Sequence, residues 1–165
     1  MLEAKYQDFY DQIIHKIPKE KIFTDKLHTL AYGTDASFYR LIPKIVIKTD
    51  NAKEVQDIIE LSNSMNLSIT FRAGGTSLSG QAISDSILII TSRNFSNFKI
   101  ASDVSYISLE PALTGAQVNG LLARYSKKIG PDPASINAAM IGGIAANNAS
   151  GMCCGISQNS YKTLK

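Results

Sequence analysis

Tryptophan is missing from this chain of 165 residues, cysteine is confined to the neighbours Cys153 and Cys154, and histidine to His15 and His28. Adjacent cysteines rarely satisfy disulfide geometry without strain, so no disulfide framework is expected. A reducing compartment, the cytoplasm, is the expected setting. The Cys-x-x-Cys or Cys/His spacing of a metal centre is absent as well, and no metal is expected. No apolar run approaches the ~20 residues of a membrane span, and Met1 to Lys21 mixes polar and apolar residues rather than forming a leader. Charge is also scarce: 19% of residues are charged and the formal net charge is +3, with no stripe of Lys and Arg. Nucleic acid is therefore excluded as an expected partner. What remains is a soluble chain whose 44% hydrophobic content suffices for a compact core.

There is no internal repeat and no low-complexity linker. Phe9, Ile13, Ile14 and Ile17 fall near one face of a helix predicted over 6–17, stopped before Pro18. Residues 24–41 read as irregular, with turn chemistry at Tyr32-Gly33-Thr34-Asp35. Ile45-Val46-Ile47 is a buried strand by its β-branched content. Asn51 followed by Glu54 has the form of a capping box, opening a helix to about Met65 with Val55, Ile58 and Ile59 inward and Ser62 at the edge of that face. Ser68 to Arg72 returns as a strand, which makes a βαβ unit. A glycine-rich loop and a further strand, Ile87 to Thr91, follow. Alternation from Phe98 to Leu109 predicts a hairpin turning near Ala101 to Asp103. Thr114 caps a helix reaching Lys127, with Val118, Leu121, Leu122 and Tyr125 on one side.

Two segments of small residues carry the chemical signal. The first is Arg72-Ala73-Gly74-Gly75-Thr76-Ser77-Leu78-Ser79-Gly80-Gln81, directly after a strand. Gly74 and Gly75 can take positive φ, so successive N–H groups can converge into an anion-binding nest, and Thr76, Ser77 and Ser79 add hydroxyls. A diphosphate needs such a curve of donors with no side chain in the way. The spacing is neither that of Walker A nor that of a Rossmann turn. Read by itself, an ordinary Gly/Ser surface turn fits equally well.

The second segment is Ile141-Gly142-Gly143-Ile144-Ala145-Ala146-Asn147-Asn148-Ala149-Ser150-Gly151, preceded by the rigid turn Gly130-Pro131-Asp132-Pro133. A Gly-Gly pair entering Ala-rich sequence predicts a tightly packed helix N-terminus whose free N–H groups favour a phosphate or an electron-rich ring edge. Asn147 and Asn148 could serve the same pocket. A small-residue helix packed on a strand is the competing reading.

In order and spacing, Arg-x-Gly-Gly-Thr-Ser-x-x-Gly followed by Gly-Pro-Asp-Pro and Ile-Gly-Gly-x-x-Ala-Asn-Asn-Ala-Ser-Gly-Met resembles the FAD-binding domain of the vanillyl-alcohol oxidase/p-cresol methylhydroxylase superfamily. The likeness runs from about Ala31 to the end, includes Tyr32 to Arg40 and Pro43, and is strongest to the D-lactate and 2-hydroxyacid dehydrogenase branch, with its glycolate oxidase subunits. It implies an α+β fold: a βαβ subdomain followed by the start of a second α+β subdomain. Residues 1–30 would be an N-terminal helical extension and 31–165 a partial FAD-binding domain, truncated, without a substrate domain.

The resemblance further implies that Arg72, Gly74, Gly75, Thr76, Ser77, Gly80 and Gln81 wrap the pyrophosphate. Pro131, Gly142, Gly143, Ala146, Asn147, Ser150 and Gly151 would line the flavin and diphosphate. Some relatives bind FAD covalently through a histidine in the first loop; Thr76 stands there, which implies non-covalent FAD. His15 and His28 read as surface residues, and no His/Glu pair is placed as a general base, so no catalytic residue is nominated. The complete enzyme would oxidise a 2-hydroxyacid such as D-lactate or glycolate by hydride transfer to flavin N5. Its electrons would pass to an acceptor, an iron–sulfur module among the options, and peripheral membrane attachment is left open. The alternatives are a flavin reductase of the UDP-N-acetylenolpyruvoylglucosamine reductase type and a non-catalytic nucleotide-binding module. Cys153 and Cys154 read as small buried residues lining a cofactor cavity.

Overall fold

The computed structural model describes residues 2–91 and 93–165. The chain divides into two compact units, residues 1–92 and 93–165.

In the first unit, helix α1 (Ala4–Ile13) buries Tyr6, Phe9 and Ile13, spaced so that they share one face. Ile17, also buried, extends that face beyond the helix through the Ile17 N–H to Ile13 carbonyl bond of 2.9 Å. A short strand, β1 (Ile22–Phe23), leads to α2 (Lys26–Ala31). This helix departs from the irregular chain expected over 24–41. Asp25 supplies the missing start signal, its carboxylate accepting the His28 N–H at 3.1 Å. The His28 ring also lies against the Asp25 carboxylate and stacks on Phe23.

Strands β2 (Ile45–Thr49), β3 (Ile69–Arg72) and β4 (Ile87–Thr91) join β1 in a sheet of order β1-β2-β4-β3. β2, β4 and β3 run parallel and β1 antiparallel. The predicted βαβ unit is present, but β4 is inserted between its two strands. Ile45, Ile47, Ile87 and Ile89, alternate residues on one sheet face, form the core with α1 and α3 (Ala52–Ser64).

The inward face of α3 differs from expectation. Ile58, Leu61 and Ser62 are buried, whereas Ile59 is exposed and Val55 only half-buried. Glu54 and Asp57 are buried in their stead. Their charges are met by Lys21 on Glu54 at 2.7 Å, and by Lys16 and Lys53 on Asp57 at 3.2 and 3.0 Å. Asn51 caps the Glu54 N–H at 2.9 Å, but the Glu54 carboxylate returns to the Asp50 N–H rather than to Asn51.

The second unit opens with the antiparallel hairpin β5 (Phe98–Ile100) and β6 (Ile107–Leu109). Its connection is longer than expected, running through Val104 at φ 54°. Helix α4 (Gly115–Ala123) carries a full capping box between Thr114 and Gln117 and buries Val118 and Leu122 in a small core. It stops short of Tyr125, which is exposed rather than packed on the predicted face. Two short helices, α5 (Ile141–Ala146) and α6 (Ser160–Thr163), complete the unit. Among the described residues no helix is long and apolar enough to cross a membrane.

Candidate functional site

The glycine-rich segment leaves the carboxyl end of β3, on the side of a parallel sheet where ligands of α/β folds bind. Gly75 takes φ +65° and Gly80 φ +71°. Gly74, expected to share this conformation, does not; the two left-handed residues bracket the loop instead of adjoining. The left-handed torsion strains any other residue at Gly75, and a Cβ there would lie 2.5 Å from the Arg72 Nη2 and push the guanidinium aside. The backbone N–H groups of Gly74, Gly75, Thr76 and Ser77 have no hydrogen-bond partner among the described residues. These are the free donors that an anion nest requires.

The loop's hydroxyls are not all available. Ser77 Oγ accepts the N–H groups of Ser79 and Gln81 at 3.1 and 3.2 Å and bonds to Gln81 Oε1 at 3.0 Å. Ser77 and Gln81 thus hold the loop's own curvature. Arg72 is committed as well: its Nη1 donates to the Thr34 carbonyl at 2.6 Å and the Ala82 carbonyl at 3.4 Å, with the guanidinium 5.7 Å above the Tyr32 ring.

A second stretch of chain lies against this loop, the one that reads in sequence as turn chemistry and as part of the family likeness. The Ala36 N–H donates to the Gly75 carbonyl at 3.1 Å. Asp35 accepts from the Ser37 N–H at 2.8 Å and from the Ala82 N–H at 3.3 Å. Burial alone would raise the Asp35 carboxyl, but the hydrogen bonds from Ser37 and Ala82 and the charge of Arg72 outweigh it and hold it below the ordinary carboxylate value.

In the second unit, α5 begins at Ile141-Gly142-Gly143 as expected, but its leading N–H groups are not free. Ile141 N–H donates to the Leu113 carbonyl at 2.8 Å and Gly142 N–H to the Pro111 carbonyl at 3.0 Å. The helix start is docked on its own chain, and a Cβ on Gly142 would meet Pro111 Cβ at 2.7 Å. Ala146 and Asn147 are exposed at the far end. Asn148, at φ 45°, ends the helix: its N–H and that of Ala149 return to Ala145 and Ile144, a Schellman pattern with asparagine where glycine is usual. The Asn148 side chain accepts the Tyr161 N–H at 2.9 Å. The buried Ser160 hydroxyl ties Ile144 and Ala149 at 3.0 and 2.9 Å.

Pro131 is buried and Asp132 turns its carboxylate onto the segment after Gly151, accepting the N–H groups of Cys153 and Cys154 at 3.2 Å each. Both cysteines are free thiols; Cys154 is buried, but Cys153 is exposed, correcting the expectation of a buried pair. The Asp132 carboxylate beside it pushes the Cys153 thiol upward, away from a reactive thiolate. Pro131 also lines a groove of about 750 Å³ together with Leu109, Leu122, Ile129, Ile141 and Ile144. No group of three or more His, Cys, Asp or Glu among the described residues could hold a metal ion.

Comparison with known proteins gives a family and a fold. Residues 43–165 match the family described as FAD binding domain. Among curated proteins, the D-2-hydroxyglutarate dehydrogenase of Pseudomonas putida is 24% identical over 152 residues, covering 90% of this chain but 15% of that protein. The glycolate oxidase subunit GlcD of Escherichia coli is 28% identical over 139 residues, 78% of this chain and 27% of that protein. The chain thus spans a small part of the relatives it matches. Of solved structures, an alkyldihydroxyacetonephosphate synthase superposes with a TM-score of 0.75 at 18% identity, covering 91% of this chain and 30% of that one. p-Cresol methylhydroxylase does so at 0.73 and 12%, covering 90% and 30%. The chain belongs to the FAD binding domain family, and it shares the fold of p-cresol methylhydroxylase.

Proposed function

We propose that this chain is the diphosphate-anchoring part of a flavin-dependent oxidoreductase whose complete form oxidises a 2-hydroxyacid, of the kind represented by D-lactate or glycolate. The observation that carries the reading is the glycine loop: left-handed Gly75 at the end of a parallel strand, followed by N–H groups with no partner among the described residues. Four backbone N–H groups without a partner among the described residues, on a loop curved by left-handed Gly75 and Gly80, fit a diphosphate. The names of the relatives, D-2-hydroxyglutarate dehydrogenase, glycolate oxidase subunit and D-lactate dehydrogenase, support the substrate class.

Gly74, Gly75, Thr76 and Ser77 would hold the diphosphate through backbone N–H groups, with Gly80 and Gln81 closing the loop and Arg72 bracing it from behind. Pro131, Gly142, Gly143, Ala146, Asn147, Ser150 and Gly151 would contribute small-residue surface to the flavin. Binding is non-covalent in this reading, since Thr76 offers no imidazole and His15 and His28 lie outside the loop. When bound, FAD supplies the two-electron acceptor for oxidation of the hydroxyacid. The chain's own part is to orient the cofactor with backbone dipoles; the proton-accepting group and the substrate contacts belong to the complete enzyme.

Titration of the purified chain with FAD and with ADP, followed by flavin fluorescence and calorimetry, tests the proposal. Saturable binding of both is expected, because the diphosphate is the shared handle. Binding of neither, by a chain whose circular dichroism shows it folded, would overturn it.

A further inference from the structure

The glycine loop rests on residues 34–36, and that tract has no ligand-facing role in the reading above. Its contacts occur on both sides of the loop. At the entrance, the Arg72 guanidinium reaches the Thr34 carbonyl at 2.6 Å, and the Ala36 N–H reaches the Gly75 carbonyl at 3.1 Å. At the exit, the Asp35 carboxylate takes the Ala82 N–H at 3.3 Å, and Arg72 touches the Ala82 carbonyl at 3.4 Å. The remaining Asp35 oxygen takes the Ser37 N–H at 2.8 Å, which fixes the carboxylate's own orientation.

We infer that Asp35 is a positioning residue for the cofactor loop: its carboxylate pins the loop's exit at Ala82 while its neighbours Thr34 and Ala36 hold the entrance at Arg72 and Gly75, and the diphosphate nest is thereby preformed before any ligand arrives. The inference rests on the proposed function and extends it to a residue that touches no ligand. The chemistry favours aspartate specifically. Both oxygens accept from backbone N–H groups, so an amide would turn an NH₂ toward one of them, placing donor against donor. The charge of Arg72, which braces the loop, also favours the ionised Asp35 carboxylate. A loop ordered in advance loses little conformational freedom on binding, and that saving appears directly as affinity.

The test compares the full chain with Asp35→Asn and Asp35→Glu, using ADP as the probe and amide hydrogen exchange as an independent readout. Asp35→Asn is expected to weaken ADP binding about tenfold, a loss near 1.4 kcal/mol. It should also remove exchange protection at Ala36, Ser37 and Ala82 while protection in Ile45–Thr49 and Ile87–Thr91 persists. A merely structural role would lower protection across the sheet together with the loop. Asp35→Glu, which keeps two acceptor oxygens, should recover part of both signals. If the unaltered chain binds no ADP, the proposed function fails, and the positioning role is then decided by exchange alone. Unchanged protection at Ala36 and Ala82 in Asp35→Asn, or unchanged affinity where the unaltered chain binds, would overturn it.

Discussion

Gly151 packs directly on Asp132: a Cβ added to the glycine would overlap both the carboxylate and the backbone carbonyl of that residue. The same carboxylate accepts the N–H groups of Cys153 and Cys154, so one side chain holds the chain on the far side of the glycine. Gly151→Ala should force Asp132 away and loosen residues 151–155. The expected cost is about 1–3 kcal/mol, the range for overpacking a tight contact, measured by urea unfolding. A cost near zero would mean that the contact gives way freely.

The cradle at Gly75 makes a second prediction. A β-branched residue there meets both a left-handed backbone and the Arg72 guanidinium. Gly75→Val should weaken FAD and ADP at least ~tenfold, since backbone strain of this kind costs on the order of 1–3 kcal/mol. Far-ultraviolet circular dichroism should be unchanged, because the loop lies outside the regular elements. Equal affinities for the two chains would remove the loop from the binding site.

Asp57 gives the pH prediction. The hydrogen bond from Lys53 lowers its carboxyl first, burial opposes this, and Lys16 adds to the lowering. A carboxyl depressed in the folded state contributes stability above its unfolded value and loses it as pH falls through the folded one. The contribution should therefore be complete at neutral pH, begin to fade near 3.8, and vanish below the depressed value. Asp57→Asn should lower the unfolding midpoint at pH 7 and leave a smaller gap at pH 3. A gap independent of pH would show that the ion pairs contribute nothing.

Three helical turns end on left-handed residues other than glycine: Asn66 at φ 52°, Ser126 at 54° and Asn148 at 45°. Serine gains least from this conformation, so Ser126→Gly should stabilise the chain by about 1 kcal/mol. Asn148→Gly should gain less, because it gives up the 2.9 Å bond to the Tyr161 N–H. Thermal unfolding of the two variants side by side checks the order.

The parts legible in sequence were those decided by neighbours along the chain. Ile45-Val46-Ile47 announced a strand, and Thr114 announced a helix start, because β-branching and capping act within a few residues. The glycine loop was legible for the same reason, as a left-handed turn needs glycine at that position. What escaped depended on distant partners. Glu54 and Asp57 displaced Ile59 from the inner face of α3 because Lys16 and Lys21, more than thirty residues upstream, neutralise them. The start of α5 looked like an open anion site, but the carbonyls of Pro111 and Leu113 occupy its N–H groups, and nothing near Gly142 signals that. Asp35 was visible as turn chemistry and as part of the family likeness, but without a role, since its role is defined by Ala82, 47 residues away.

The order β1-β2-β4-β3 carries a consequence for how the molecule is made. The strand that sits between the others is the last of the four to leave the ribosome. Until Ile87–Thr91 emerges, β2 and β3 have no common neighbour, and the apolar faces of Ile45, Ile47 and α3 must wait. Closure then joins residues about forty positions apart in one step, a non-local event that folds slowly compared with hairpin formation. A nascent chain halted before that strand would expose two unpaired parallel edges, the condition in which chaperones are needed.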